Sequence, residues 1–182
     1  MRRALVACAL WLAAALPAAA AEIQAVQTTV EGEQVLLSFT LEGAFDDPLV
    51  ARLESGLPTE IRYRFLLQRD RKRWFDADLD EATLTVVAMY DALRREYLVN
   101  VKLDGKLLES RTVEGLDELA RVMTRMERLA IFPLRPSSDR RRLLVRVRAE
   151  LGHKNLLGFI PTQITTDWVE SPKFRRPAEP SP

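Results

Sequence analysis

Cysteine and histidine are almost missing from this chain of 182 residues, with Cys8 and His153 the single examples of each. Cys8 sits in Leu5-Val6-Ala7-Cys8, but the apolar run needed before an acylated lipobox cysteine lies after it instead. It therefore reads as a passenger in a leader. The remainder then lacks cysteine, which excludes disulfides and thiolate chemistry even in an oxidising compartment. His153 lies in Gly152-His153-Lys154-Asn155 and reads as a solvated turn residue between strands. An imidazole base needs an orienting partner and a nucleophile, and a zinc site needs further thiol or imidazole ligands. Glycine is sparse, and no phosphate-cradling loop, nucleophile elbow or dinucleotide fingerprint is present. Nothing therefore assigns a catalytic residue, a metal ligand or a cofactor.

Charge of one sign is lacking too, at 27 basic against 26 acidic residues. That balance gives no footprint for nucleic acid. Past the first 21 residues, no apolar run approaches the ~20 residues of a membrane helix.

The start of the chain is rich in one signal. Met1-Arg2-Arg3 is a short positive region, Ala4–Leu16 an apolar one, and Pro17 breaks it before Ala18-Ala19-Ala20-Ala21. Two overlapping small-residue sites follow, so residues 1–21 read as a secretory signal peptide cleaved near Ala20–Glu22. Losing Arg2 and Arg3 takes the formal charge from +1 to −1. The alanine- and arginine-rich usage points to a high-GC bacterium, and so to the periplasm. About 160 residues remain, enough for one domain with its own core.

Residues 22–170 are dominated by alternation. In Glu60–Gln68, Ile61, Tyr63, Phe65 and Leu67 point one way and Arg62, Arg64 and Gln68 the other; period two is the mark of a half-buried strand. Ile23–Val30 and Gln34–Leu41 read as a first hairpin around Glu31-Gly32-Glu33. Thr83–Tyr90, Arg95–Leu103 and Lys106–Val113 read as further strands, the last two joined by the tight turn Asp104-Gly105. Arg140–Leu151 and Phe159–Val169 complete the set, with Ile160, Ile164 and Trp168 sharing a face. A short helix opens at Asp47-Pro48, with Asp47 as cap, and stops at Gly56. A long helix spans Leu116–Ile131, its face built on Leu116, Leu119, Ala120, Met123 and Met126. The fold expected is mainly β: an antiparallel β-sandwich, immunoglobulin-like or a curved two-layer sheet, of seven to eight strands with one long and one short helix. Ser171–Pro182 reads as a proline-rich disordered tail.

Three groups of side chains compete for function. Asp76, Asp78, Asp80 and Glu81 form an acidic loop, either solvated charge or a pair of hydrolytic carboxylates; the spacing does not fit a calcium loop. Arg62, Arg64, Arg71, Arg73, Arg146 and Arg148 offer a basic stripe for an acidic partner or anionic lipid, if their strands are neighbours; the reading favoured is a solvated face interleaved with acids. Trp74 and Trp168 are aromatics for an interface or for the core, the core being favoured because large rings bury most of their area.

The order of features then carries more than any one of them. Gly56-Leu57-Pro58, Arg73-Trp74-Phe75, Tyr90-Asp91-Ala92-Leu93 with Tyr97, Val145–Leu151, and Asp167-Trp168-Val169 with Ser171-Pro172 follow one another along the chain. This series resembles an uncharacterised family of proteobacterial exported proteins, domain of unknown function 4390. Arg73-Trp74-Phe75 departs from its paired tryptophan, and Gly158-Phe159-Ile160-Pro161 from its Leu-Pro. The resemblance implies an accessory role beside a sensor histidine kinase of the nitrogen-regulation type, whose periplasmic segment would be the partner. It brings no catalytic residues.

The function expected is an exported periplasmic, non-enzymatic binding or accessory domain. The alternatives are a small-ligand or lipid carrier, and a hydrolase using the acids of 76–81. The residues do not specify an oligomeric state.

Overall fold

The computed structural model describes residues 20–70, 77–134, 142–156 and 160–176. Residues 1–19, residues 71–76 with Arg71, Arg73, Trp74, Phe75 and Asp76, and residues 177–182 are among those that lie outside them.

Among the described residues, ten strands and two helices follow in the order β1 (Glu22–Glu31), β2 (Gln34–Glu42), α1 (Asp47–Glu54), β3 (Thr59–Arg69), β4 (Ala77–Asp91), β5 (Glu96–Leu103), β6 (Lys106–Val113), α2 (Leu116–Thr124), β7 (Arg125–Pro133), β8 (Leu143–Leu156), β9 (Ile160–Thr165) and β10 (Val169–Glu170). The chain is mainly β. A three-stranded sheet, β1-β2-β7, lies over a seven-stranded sheet of order β10-β8-β3-β4-β5-β6, with β9 also pairing β8. Every ladder is antiparallel.

Alternation explains why these two sheets face each other. Val35, Leu37, Phe39 and Leu41 of β2 are buried against Ile61, Tyr63, Phe65 and Leu67 of β3. The next strands of the large sheet add Leu84, Val86 and Ala88, and Val145, Val147 and Ala149. Phe39 anchors the seam, its ring 5.0 Å from Tyr63 edge-on and 5.9 Å from Phe65. Edge contacts of this kind suit the ring quadrupole. The Tyr63 hydroxyl donates to the Met123 carbonyl at 2.7 Å, tying α2 to the core. The two core methionines, Met123 and Met126, fill that space rather than an open groove.

Three expectations change in detail. The helix expected over Leu116–Ile131 ends at Thr124, and β7 begins at once. β2 needs a second neighbour, and β7 supplies its ladder from Gln34↔Pro133 to Thr40↔Arg125. Two irregularities in that ladder, with Arg128 at φ 50°, space Met126, Leu129 and Phe132 three apart. A bulged strand thus imitates helical periodicity. At the short helix, the cap is Asp46, whose Oδ1 accepts from Leu49 N at 3.0 Å; Asp47 is already helical. His153 falls on β8 rather than in a turn.

The end of the chain also differs. The strand expected over Phe159–Val169 is two pieces. Thr166 pairs with Ala149 through its backbone N–H at 2.9 Å and its hydroxyl at 3.0 Å, and Val169 pairs with Val147. Three residues therefore span two on β8, and the extra one turns Trp168 away from the core face. Ser171 and Phe174 then continue along β8, with Ser171 N on Val145 O at 2.8 Å and Phe174 bridging Leu143. The tail is docked as far as Phe174, because β8 has backbone groups there that need partners.

Candidate functional site

The outer face of the large sheet collects the basic stripe. The register sets Arg64 directly across from Arg148, and Arg62 across from Glu150. Opposed like charges destabilise a sheet, and Glu150 relieves them. Its side chain is only 10% exposed, and its carboxylate lies 3.1 Å from Arg148, 3.6 Å from Arg62 and 3.8 Å from Arg64. Glu60 meets Arg62 at 2.9 Å, Glu81 meets Arg64 at 3.9 Å, and Glu170 meets Arg146 at 3.7 Å. Among the described residues, the four arginines of this face thus answer four glutamates.

Trp168 completes this face. The guanidinium carbons of Arg148 and Arg146 stand 4.7 and 5.4 Å from its ring centre. The ring is half-buried under cations rather than sunk in the core, and cation–π attraction of about 0.5–2 kcal/mol holds such a stack. Arg62, Arg64, Arg146, Arg148 and Trp168 therefore come together as one surface. Arg71, Arg73 and Trp74 lie outside the described residues.

The acids expected in a loop stand on β4. Asp80 lies opposite Leu67 and Glu81 opposite Leu66, so the two project from opposite faces of the strand. Asp78 accepts from Gln68 Nε2 at 2.7 Å, and the Asp80 carboxylate accepts from the backbone N–H of Glu81. Asp80 and Glu81 therefore do not share a face of the strand. Asp76 lies outside the described residues. Among the described residues no cluster of three metal-ligating side chains occurs, and no helix is long and apolar enough to cross a membrane.

A third place was not legible in the sequence. A cleft of about 710 Å³ opens at the end of the sandwich beside α1. Ala44, Phe45, Pro48 and Leu49 form one wall, and Pro58, Val87, Leu151 and Ile164 the other. Ala20 and Ala21 border it, and Asp46, Arg52 and Glu60 are its charged members. Glu60 is engaged by Arg62, and Asp46 by the α1 cap. Arg52, exposed on α1, pairs with no carboxylate among the described residues. This volume falls within the range of small-molecule sites, ~300–1,000 Å³. Its walls come from segments distant in sequence, so no local pattern announces it.

The family profile described as Domain of unknown function (DUF4390) matches residues 18–168. The chain belongs to this family. The DUF4390 match takes in both walls of the cleft and all of the arginine face, and stops at Trp168 before β10. No curated protein and no solved structure matched the chain.

Proposed function

We propose that this chain is an exported, non-enzymatic binding protein that holds an amphiphile in the cleft beside α1. The observation that carries the reading is an apolar cleft bordered by the exposed guanidinium of Arg52, with which no carboxylate pairs among the described residues. The apolar body of a ligand lies between Leu49, Val87, Leu151 and Ile164, and its anionic head meets the guanidinium. Burial of each methylene favours such a ligand by ~0.8 kcal/mol, and a charge-assisted hydrogen bond by ~1.5–3 kcal/mol. The leader at residues 1–21 supports the periplasm as the compartment. Its cleavage points after Ala20 and Ala21 fall on the cleft wall, so processing would leave an α-amino group there.

The test is titration of the purified protein with a fluorescent long-chain carboxylate and with the matching uncharged alcohol. Saturable one-to-one binding of the carboxylate is expected, weakened roughly tenfold or more by Arg52→Glu. Failure of the unaltered protein to bind either probe removes the reading.

A second reading, an accessory domain that docks on the periplasmic segment of a sensor kinase, draws on the outer face of the large sheet. Arg146 and Arg148 present Trp168 there as a half-exposed aromatic, a residue type enriched at interfaces. Capture of that segment by the unaltered protein and its loss in Trp168→Ala would support it. Equal recovery with a control bait counts against it.

A further inference from the structure

We infer that the free edge of β6 joins a second copy of this chain, antiparallel, about a two-fold axis through Ser110. Among the described residues, β6 is the terminal strand of the large sheet and pairs on one side only, with β5. Its other edge leaves a row of backbone donors and acceptors open to pairing. Every residue from Lys106 to Thr112 is exposed, including Leu107 at 58% and Leu108 at 53%.

Charge decides the occupant and the register. Glu109 and Arg111 share a face and contact each other at 3.2 Å. Protein edges are commonly guarded by charges on the strand, which repel a second copy. Here the two charges are opposite and two residues apart. Antiparallel pairing centred on Ser110 puts Glu109 of each copy across from Arg111 of the other. It also sets Leu108 against Thr112 and Leu107 against Val113. Centring on Glu109 or on Arg111 instead faces like charges, which is destabilising. A strand that complements itself in one register and opposes itself in the neighbouring ones specifies its own partner. The irregularity in the β5–β6 ladder lies between Val101 and Lys102, toward the turn, and leaves Glu109–Val113 regular. This inference does not depend on the cleft.

The experiment is sedimentation equilibrium of the full chain with charge swaps. Glu109→Arg and Arg111→Glu should each weaken dimerisation roughly tenfold or more, and the double swap should restore it to within about threefold. The axis is read by cross-linking in a Cys8→Ser background, where no other thiol remains. Ser110→Cys should oxidise to a covalent dimer, since directly opposed residues lie ~4.5–5.5 Å apart, within disulfide reach. Thr112→Cys should not, because Leu108 of the partner copy faces it. A monomer at about 1 mM, a double swap that stays weak, or equal cross-linking at both positions overturns the inference.

Discussion

β3 and β6 are strands of one sheet, yet they are held in opposite ways. β3 lies between β4 and β8, and its inward side chains meet β2 across the core. Ile61, Tyr63 and Phe65 are wholly buried. β6 has one neighbour and buries a single side chain, Val113. What places it is the turn at Asp104-Gly105, both at positive φ, with Asp104 Oδ1 accepting from Thr83 N at 2.8 Å. One strand is stabilised by burial from two layers, and the other by a local turn and one ladder. The difference teaches that the closed half of the sheet supplies stability and leaves the outer hairpin free for contact.

The largest effect should come from Phe65→Ala. Deleting a fully buried phenyl costs about 3–5 kcal/mol, and urea unfolding should show it as a lowered midpoint with unchanged slope. A loss below about 1 kcal/mol would break the comparison, because β3 would then not be the packed strand.

Tyr63→Phe should cost about 1–3 kcal/mol at neutral pH, by leaving the Met123 carbonyl without its donor. Burial also pushes the Tyr63 phenol far above its ordinary value. Stability tied to a raised pKa is complete below the unfolded value of ~10 and is lost as pH climbs above it, because the unfolded chain releases the proton first. The unaltered protein should therefore lose about 1.4 kcal/mol per pH unit above pH ~10 through this residue, and the variant should show a shallower slope. Tyr97 shifts the same way, through burial first and then Glu54 and Tyr90, so some alkaline slope should survive in the variant.

The smallest effect should follow Gly105→Ala. Gly105 has φ 78°, and a side chain in that left-handed region costs roughly 1–2 kcal/mol. Open space surrounds the position, so the cost is conformational. Hydrogen exchange should show lost protection in β6 with β3 unchanged. Equal loss in both strands would mean that the hairpin is not a separate unit.

The closed half was legible because burial on one face writes itself as alternation. Ile61 to Leu67 and Leu143 to Leu151 read as strands for that reason, and the outward arginines formed one stripe only on the condition that their strands are neighbours, which the β3–β8 register meets. Two failures share one cause. The helix expected over Leu116–Ile131 ran on past Thr124 because bulges in β7 break the alternation that marks a strand, and Trp168 looked inward because one extra residue sits between Thr166 and Val169. A bulge is decided by the partner strand, which periodicity does not contain. That acids interleave the arginine face was expected, but which acid meets which arginine was hidden likewise. Glu150 and Arg148 are close in sequence, but Arg62 and Arg64 reach Glu150 only through the β3–β8 register.

By itself the sequence determined a single cysteine at position 8 and a β architecture, because composition and period are local quantities summed along the chain. Tertiary structure alone decided where the helix after Glu114 stops, which way Trp168 turns, and that α1, β3, β8 and β9 enclose a cleft bordered by Arg52. Those outcomes depend on which backbone groups find partners across the sheets, and a strand's neighbours are chosen by the whole fold.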